Sequence, residues 1–258
     1  MNILFTICGR AGSKGFKNKN LKEMNGVPLV FYSLAAIQMF SEKHMEHHVK
    51  IAVNTDSCDL IEQIKGHSAL PIEFVSRRQE LAGDVVPKVD VIKDTYINCV
   101  DFNADVVMDL DITSPMRRVE DIENILEEYN KGGVDLVFSV VEARRSPYFN
   151  MVENKGNGYY QKICQSSFTA RQQAPKSYEI NASIYAYNPL FLSGEIEKTI
   201  LDYKCSISIM PDFLVLDIDS EEDFEMMQFL HRYYCEHDSG LNNVFCIARQ
   251  MSAKNEEG

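Results

Sequence analysis

The chain has 258 residues, 45 % apolar and 25 % charged, with ordinary glycine and proline, which supports one buried core and excludes disordered, collagen-like and low-complexity classes. Its 26 basic and 38 acidic residues give a net charge of −12, which disfavours a nucleic-acid partner unless positive charge is concentrated locally. No apolar run reaches the ~20 residues of a membrane span, no basic export segment opens the chain, and seven scattered cysteines form no disulfide or zinc-ribbon pattern, so a cytoplasmic protein off the membrane is expected.

Residues 2–8 are apolar and β-prone and predict a buried strand running into a glycine-rich basic loop, residues 9–20. Pro28 predicts a helix start, with Leu29, Tyr32, Leu34, Ala35 and Met39 at helical spacing, and residues 49–54 predict the next strand. The alternation continues through helix 57–66, strand 72–75, helix 87–100, strand 105–110, helix 119–130 and strand 134–141. Such alternation predicts an α/β fold with a doubly wound, mostly parallel sheet.

The rhythm breaks at residue 143, and a projecting, irregular or antiparallel excursion is expected to residue 180. It carries Tyr148, Phe149, Tyr159, Tyr160 and Phe168, apolar surface that predicts cover by a second subunit. Strands are expected again at 183–187 and 205–209, and Phe213–Leu216 reads as a strand ending in Asp217-Ile218-Asp219. Ser220 and the acidic residues 221–223 predict a helix start, and the last eight residues or so read as a frayed tail. Without repeat or linker, residues 1–258 form one domain.

Gly12 and Gly15 allow backbone N–H groups to approach an anion, and Arg10, Lys14, Lys17 and Lys19 surround it with positive charge. Such a loop beyond a strand's carboxyl end suits a polyphosphate, the alternative being a solvated lysine-rich loop. It fits neither the P-loop nor the GxGxxG pattern. Asp217 and Asp219, spaced to point the same way at a strand end, suit Mg²⁺, although Asp219 or Ser220 could simply cap the following helix. Cradle and metal pair together suit phosphoryl or nucleotidyl transfer. His44, His47 and His48 include an i, i+4 pair but lie between helix and strand with no third ligand, so no metal is assigned to them.

Arg10-Ala11-Gly12-Ser13-Lys14-Gly15 followed by Lys19-Asn20 resembles the RxGSKGxxxKN signature of the acylneuraminate cytidylyltransferases, which couple CTP to a nonulosonic acid. Further similarities follow in family order: Asn54-Thr55-Asp56 to STD, Arg77 with Leu81-Ala82-Gly83-Asp84 and Asp90-Val91 to RxxxLAxD…DV, and Thr113-Ser114-Pro115-Met116-Arg117 to TSPLR. Arg171-Gln172 resembles RQ, Asn181-Ala182-Ser183-Ile184-Tyr185 resembles NGAIY, and Asp217-Ile218-Asp219 resembles DID. The resemblance covers residues 3–225. It implies a Rossmann-like core of the nucleotide-diphospho-sugar transferase type, a dimerisation excursion at 143–180, CTP, Mg²⁺ and a homodimer.

By the same resemblance, Arg10, Lys14 and Lys19 hold triphosphate oxygens within a loop that includes Gly12, Ser13 and Gly15. Asn20 and Arg77 touch the nucleoside, Asp217 and Asp219 bind magnesium, and Arg171, Gln172, Asn181 and Tyr185 belong to the sugar-acid side. The chain departs from the pattern at Cys8-Gly9 (for Pro-Ala), Lys17-Asn18 (for Pro-Gly), Val85-Val86-Pro87-Lys88 (for small hydroxyl residues near the base) and Asp111-Ile112 (for Gln-Pro). Asp111 places a carboxylate where the implied sugar pocket has a neutral amide. The competing readings are a nucleotidyltransferase for another nucleotide or for 3-deoxy-octulosonate, and a nucleotide-binding regulatory module.

Overall fold

The computed structural model describes residues 1–12, 15–65, 70–83, 85–156 and 158–253. In β1 (Asn2–Gly9) the side chains of Ile3, Leu4, Phe5 and Ile7 are fully buried, as expected for a strand covered on both faces. A short ladder of β2 (Glu23–Met24) with β3 (Val27–Pro28) leads into α1 (Leu29–Lys43), which starts directly after Pro28. The chain continues through β4 (His48–Thr55), α2 (Cys58–Ile64), β5 (Ile72–Ser76), α3 (Lys88–Asn98), β6 (Val106–Leu110), α4 (Val119–Asn130) and β7 (Leu136–Glu142), each within two residues of its expected bounds. Beyond the excursion hairpin of β8 (Val152–Asn154) and β9 (Tyr160–Lys162) come β10 (Tyr178–Tyr187), α5 (Pro189–Ser193), β11 (Cys205–Ile209), α6 (Glu221–His237) and α7 (Ser239–Ala253).

The central sheet has seven strands in the order β11-β7-β10-β6-β1-β4-β5. Neighbours pair in parallel except β10, which is antiparallel to both β6 and β7. It starts at Tyr178, five residues before the expected 183, because the excursion returns as the partner of the strand it left, Tyr178 opposite Glu142. The excursion is therefore 143–177. A shift of register between Ile180 and Tyr185 contains Ala182 in the left-handed region, φ +53°.

The expected strand at 213–216 does not form. Asp212–Leu214 is a 3₁₀ turn and the chain runs irregularly to Asp219, with the Ile218 N–H donating to the Thr113 carbonyl at 3.0 Å. Leu214 and Ile218 are buried, so this apolar run satisfies its burial without a partner strand. Asp217 and Asp219 accordingly sit on an irregular segment rather than at a strand end.

Ser220 caps α6, accepting from the Asp223 N–H at 3.1 Å while the Asp223 carboxylate accepts from the Ser220 N–H at 2.8 Å. The apolar stripe of α7, Leu241, Val244, Ala248 and Met251, is buried and packs on α1. Helix thus replaces the first part of the expected frayed tail, whose remainder, 254–258, lies outside the described residues.

Candidate active site

From β1 the chain steps outward to β4 and β5, then returns to place β6 on the other side of β1. Ligands of open α/β sheets bind at such a reversal, beyond the carboxyl ends of the strands. There Arg10, Lys19 and Asn20, Arg77 after β5, and Asp111 and Thr113 after β6 line a cavity of about 170 Å³ together with Lys88. Topology thus gathers residues that are distant in sequence.

The basic loop is tied down from several sides. The Ala11 N–H donates to Asp56 at 2.7 Å, and the Asn20 amide donates to the Arg10 carbonyl at 3.0 Å. Lys19 Nζ reaches the Ile218 carbonyl and Asp219 Oδ1, each at 3.0 Å. Gly12 has φ +68°, which favours glycine, and a Cβ on Gly15 would stand a tight 3.2 Å from the Asp219 carbonyl oxygen. Arg77 is buried with Nε and Nη2 donating to the side chain and carbonyl of Asn54 at 2.9 Å. Ser13, Lys14 and Asp84 lie outside the described residues.

Asp111 lines this cavity, with Asp109 behind it on Lys88 and the Asp217 carboxylate near Asp111. Asp109 is fully buried, accepts from Thr6 at 2.8 Å, and lies 2.6 Å from Lys88 Nζ in an ion pair not aligned as a hydrogen bond. Lys88 also donates to Asp111, and its ammonium lies 5.8 Å from the centre of the Tyr185 ring. Burial alone would lower the Lys88 pKa, but the two carboxylates outweigh it and hold the ammonium well above its ordinary value. Burial likewise works to raise Asp111, yet Lys88 and two hydrogen bonds from Thr113 bring it down to about 2. Asp217 differs: burial and the neighbouring Asp111 push its carboxyl up, and Oδ1 is buried without a hydrogen-bond partner among the described residues. Asp219 is exposed and paired with Lys19.

Arg117 fastens the segment that carries Asp111. Fully buried, it donates to Ser33 on α1 at 2.6 Å, to Ser183 on β10 at 3.2 Å, and to the carbonyls of Asp111 and Ser114. Burial lowers its pKa to about 10 against the pull of Asp111, Asp109 and Asp121. The sequence marked Arg117 only as part of a motif and missed Asp109, whose signal was a lone carboxylate inside an otherwise apolar strand.

A second cavity of about 480 Å³ opens beside the first, lined by Pro87, Tyr185, Tyr187, Ile196, Thr199 and Ile200 among others, and Lys88 lines both. Tyr185 faces it with a hydroxyl kept protonated by burial, its pKa raised to about 12. Asn181 lines neither cavity: its amide donates to the Leu214 carbonyl at 2.9 Å and accepts from Ser139 at 2.6 Å, so it fastens the segment leading to Asp217. Arg171 and Gln172 are exposed and line a separate cleft with Glu142 and Arg145, away from both cavities of their own chain.

A family model described as cytidylyltransferase matches residues 4–233. The chain belongs to the cytidylyltransferase family. It is 34 % identical over 231 residues to the CMP-N,N'-diacetyllegionaminic acid synthase of Campylobacter jejuni and to the post-translational flagellin modification protein B of Campylobacter coli, covering 88 % of this chain and 94 % of each relative. It is 28 % identical over 228 residues, 87 % of its length, to the N-acylneuraminate cytidylyltransferase of Streptococcus agalactiae, and this region spans 52 % of that relative. A solved structure of CMP:2-keto-3-deoxy-manno-octonic acid synthetase complexed with CTP shares the fold, with a TM-score of 0.65 at 15 % identity over 91 % of this chain and 100 % of the other.

Within this cytidylyltransferase the departures from the motif pattern are accommodated locally. A Cβ on Gly9 would fall 2.5 Å from Leu60 Cδ2 and 2.9 Å from Ile112 Cδ1, so a side chain here would make both of those side-chain ends shift. Asn18 has φ +55°, a left-handed turn that asparagine tolerates in place of glycine. The charge of Lys88 and that of Asp111, each foreign to the pattern, neutralise one another across the cavity.

Proposed function

We propose that this cytidylyltransferase couples CTP to an N-acylated nonulosonic acid, the sugar's anomeric C2 hydroxyl attacking the α-phosphate and pyrophosphate leaving. The carrying observation is the pair of cavities meeting at Lys88, one lined by Arg10, Lys19 and Arg77, the other amphipathic. The first suits a nucleotide triphosphate. The second, with tyrosine hydroxyls beside Ile196 and Ile200, suits sugar hydroxyls and acyl methyl groups. The name of the Campylobacter jejuni relative supports a diacylated substrate.

Arg10 and Lys19, with Lys14, would stabilise charge on the α-phosphate and the leaving pyrophosphate. Asp217 and Asp219 would hold Mg²⁺, a role supported by the buried, unpartnered Oδ1 of Asp217, an oxygen that a hard cation suits. When bound, the ion would neutralise phosphate charge and polarise an oxygen ligand. Lys88 stays protonated and Asp111 ionised across the working pH range, so the pair orients substrates rather than relaying protons.

The functional unit would be a cytoplasmic homodimer. Tyr159 and Tyr160 are 72 % and 67 % exposed on the excursion hairpin, apolar surface that a second copy would cover. Arg171 and Gln172, remote from their own chain's cavities, would reach the partner's sugar pocket. Incubation with CTP, Mg²⁺ and N,N'-diacetyllegionaminic acid should give the mass of the CMP-sugar. Release of CMP without a sugar adduct would overturn the assignment.

A further inference from the structure

At the end of the strands opposite the cavities, the turn joining α1 to β4 reads His44-Met45-Glu46-His47-His48. The sequence offered no third ligand here, but the fold brings Glu46 between His44 and His47, and the ligand atoms of these three all lie within 4.8 Å of one another. His44 Nδ1 stands 3.3 Å from Glu46 Oε1, and His47 Nε2 stands 3.8 Å from the same oxygen. On the other side of its ring, His44 Nε2 lies 2.6 Å from Glu123 Oε1 of α4, a carboxylate also held by Lys43 Nζ at 2.7 Å.

A neutral imidazole carries one N–H and one lone pair. In the tautomer that donates from Nε2 to Glu123, the Nδ1 lone pair is turned towards Glu46 Oε1, and a cation there would be bound by both. Ligand atoms ~2.05 Å from one tetrahedral ion stand about 3.3 Å apart, the separation seen between His44 Nδ1 and Glu46 Oε1. Glu123 then has the place of the outer carboxylate that fixes the tautomer of a metal-bound histidine.

We propose that His44, Glu46 and His47 bind one divalent cation of the Zn²⁺ class, with water completing the coordination, at a site separate from the reaction. Two imidazoles and one carboxylate favour such an ion over Mg²⁺ or Ca²⁺. Bound there, it would clamp the end of α1 to the start of β4 and, through Glu123, to α4.

The test uses tag-free, chelator-stripped protein with excess Mg²⁺ present to occupy the carboxylate site. Titration with Zn²⁺ against a chromogenic chelator should show one equivalent bound by wild type, and His44→Gln and His47→Gln should each bind at least about tenfold more weakly, with Glu123→Gln intermediate. Zn²⁺ should raise the melting temperature of wild type but not of His44→Gln. Cobalt substitution should give d–d bands without thiolate charge transfer, which separates this site from the seven cysteines. No binding by wild type, unchanged affinity in both histidine variants, or thiolate bands would overturn the proposal. Retained cytidylyl transfer in His44→Gln would verify that the variant is folded.

Discussion

Asp217 and Lys88 both neighbour Asp111, and each residue's environment determines what its removal should do. Asp217→Asn keeps the shape and removes a buried charge that Asp111 repels, so folding should be unimpaired while kcat falls on the order of 10²-fold. A kcat within threefold of wild type at saturating Mg²⁺ would remove Asp217 from the proposed metal pair. Lys88→Met leaves Asp109 and Asp111 without their counter-charge. The cost should be about 2 kcal/mol, below the range for fully buried pairs because the Lys88 side chain is 32 % exposed. Adding Asp111→Asn should recover part of it, with a coupling of about 1 kcal/mol or more in denaturant unfolding, and additive variants would contradict the pairing. This pairing was not legible in the sequence. Residues 88 and 111 each read there as an independent departure, and only the fold brings Lys88, at the start of α3, against Asp111, just after β6. That Arg10 and Lys19 would stand together beyond the end of β1 was legible, because clustered cations beside glycines after a strand announce an anion-binding loop by type. Asn181 was not, since an amide that reads a ligand and one that holds a backbone carbonyl look identical in sequence.

Among the elements, β10 combines an unpredictable direction with local backbone strain. A strand buried on both faces has the same apolar pattern in either direction, so Ile184 and Ala186 could signal the strand but not its antiparallel sense. The apolar run 213–216 misled for a related reason, because burial does not require pairing. Ala182 in β10 carries φ +53°, so Ala182→Gly should raise stability by up to about 1 kcal/mol, and a loss on chemical denaturation would refute the strain. Helix α6 supplies the pH response through His231, buried against Tyr32 of α1 with ring centroids 5.2 Å apart. Burial lowers its pKa from 6.5 to about 4. As the pH falls between these values the unfolded chain takes up a proton that the folded chain refuses, so stability is present above about 6.5 and declines towards 4, by roughly 3 kcal/mol at most. His231→Phe should flatten that part of the stability–pH curve, and an unchanged slope would contradict the assignment.

For the whole molecule, one chain holds both cavities but leaves Arg171, Gln172 and the hairpin tyrosines facing outward. Sedimentation should therefore give a dimer, and Tyr159→Ser with Tyr160→Ser should weaken it and raise KM for the sugar acid more than for CTP. A fully active wild-type monomer at assay concentration would contradict the shared site. The central claim joins a nucleotide cavity to a sugar-acid cavity in one transfer reaction. Its most direct test is pyrophosphate release by wild type with CTP, ATP, GTP and UTP, each with and without a diacylated nonulosonic acid or 3-deoxy-octulosonate. Release that requires both CTP and the nonulosonic acid is the expected result; release independent of the sugar acid, or equal with another nucleotide or with 3-deoxy-octulosonate, would contradict it.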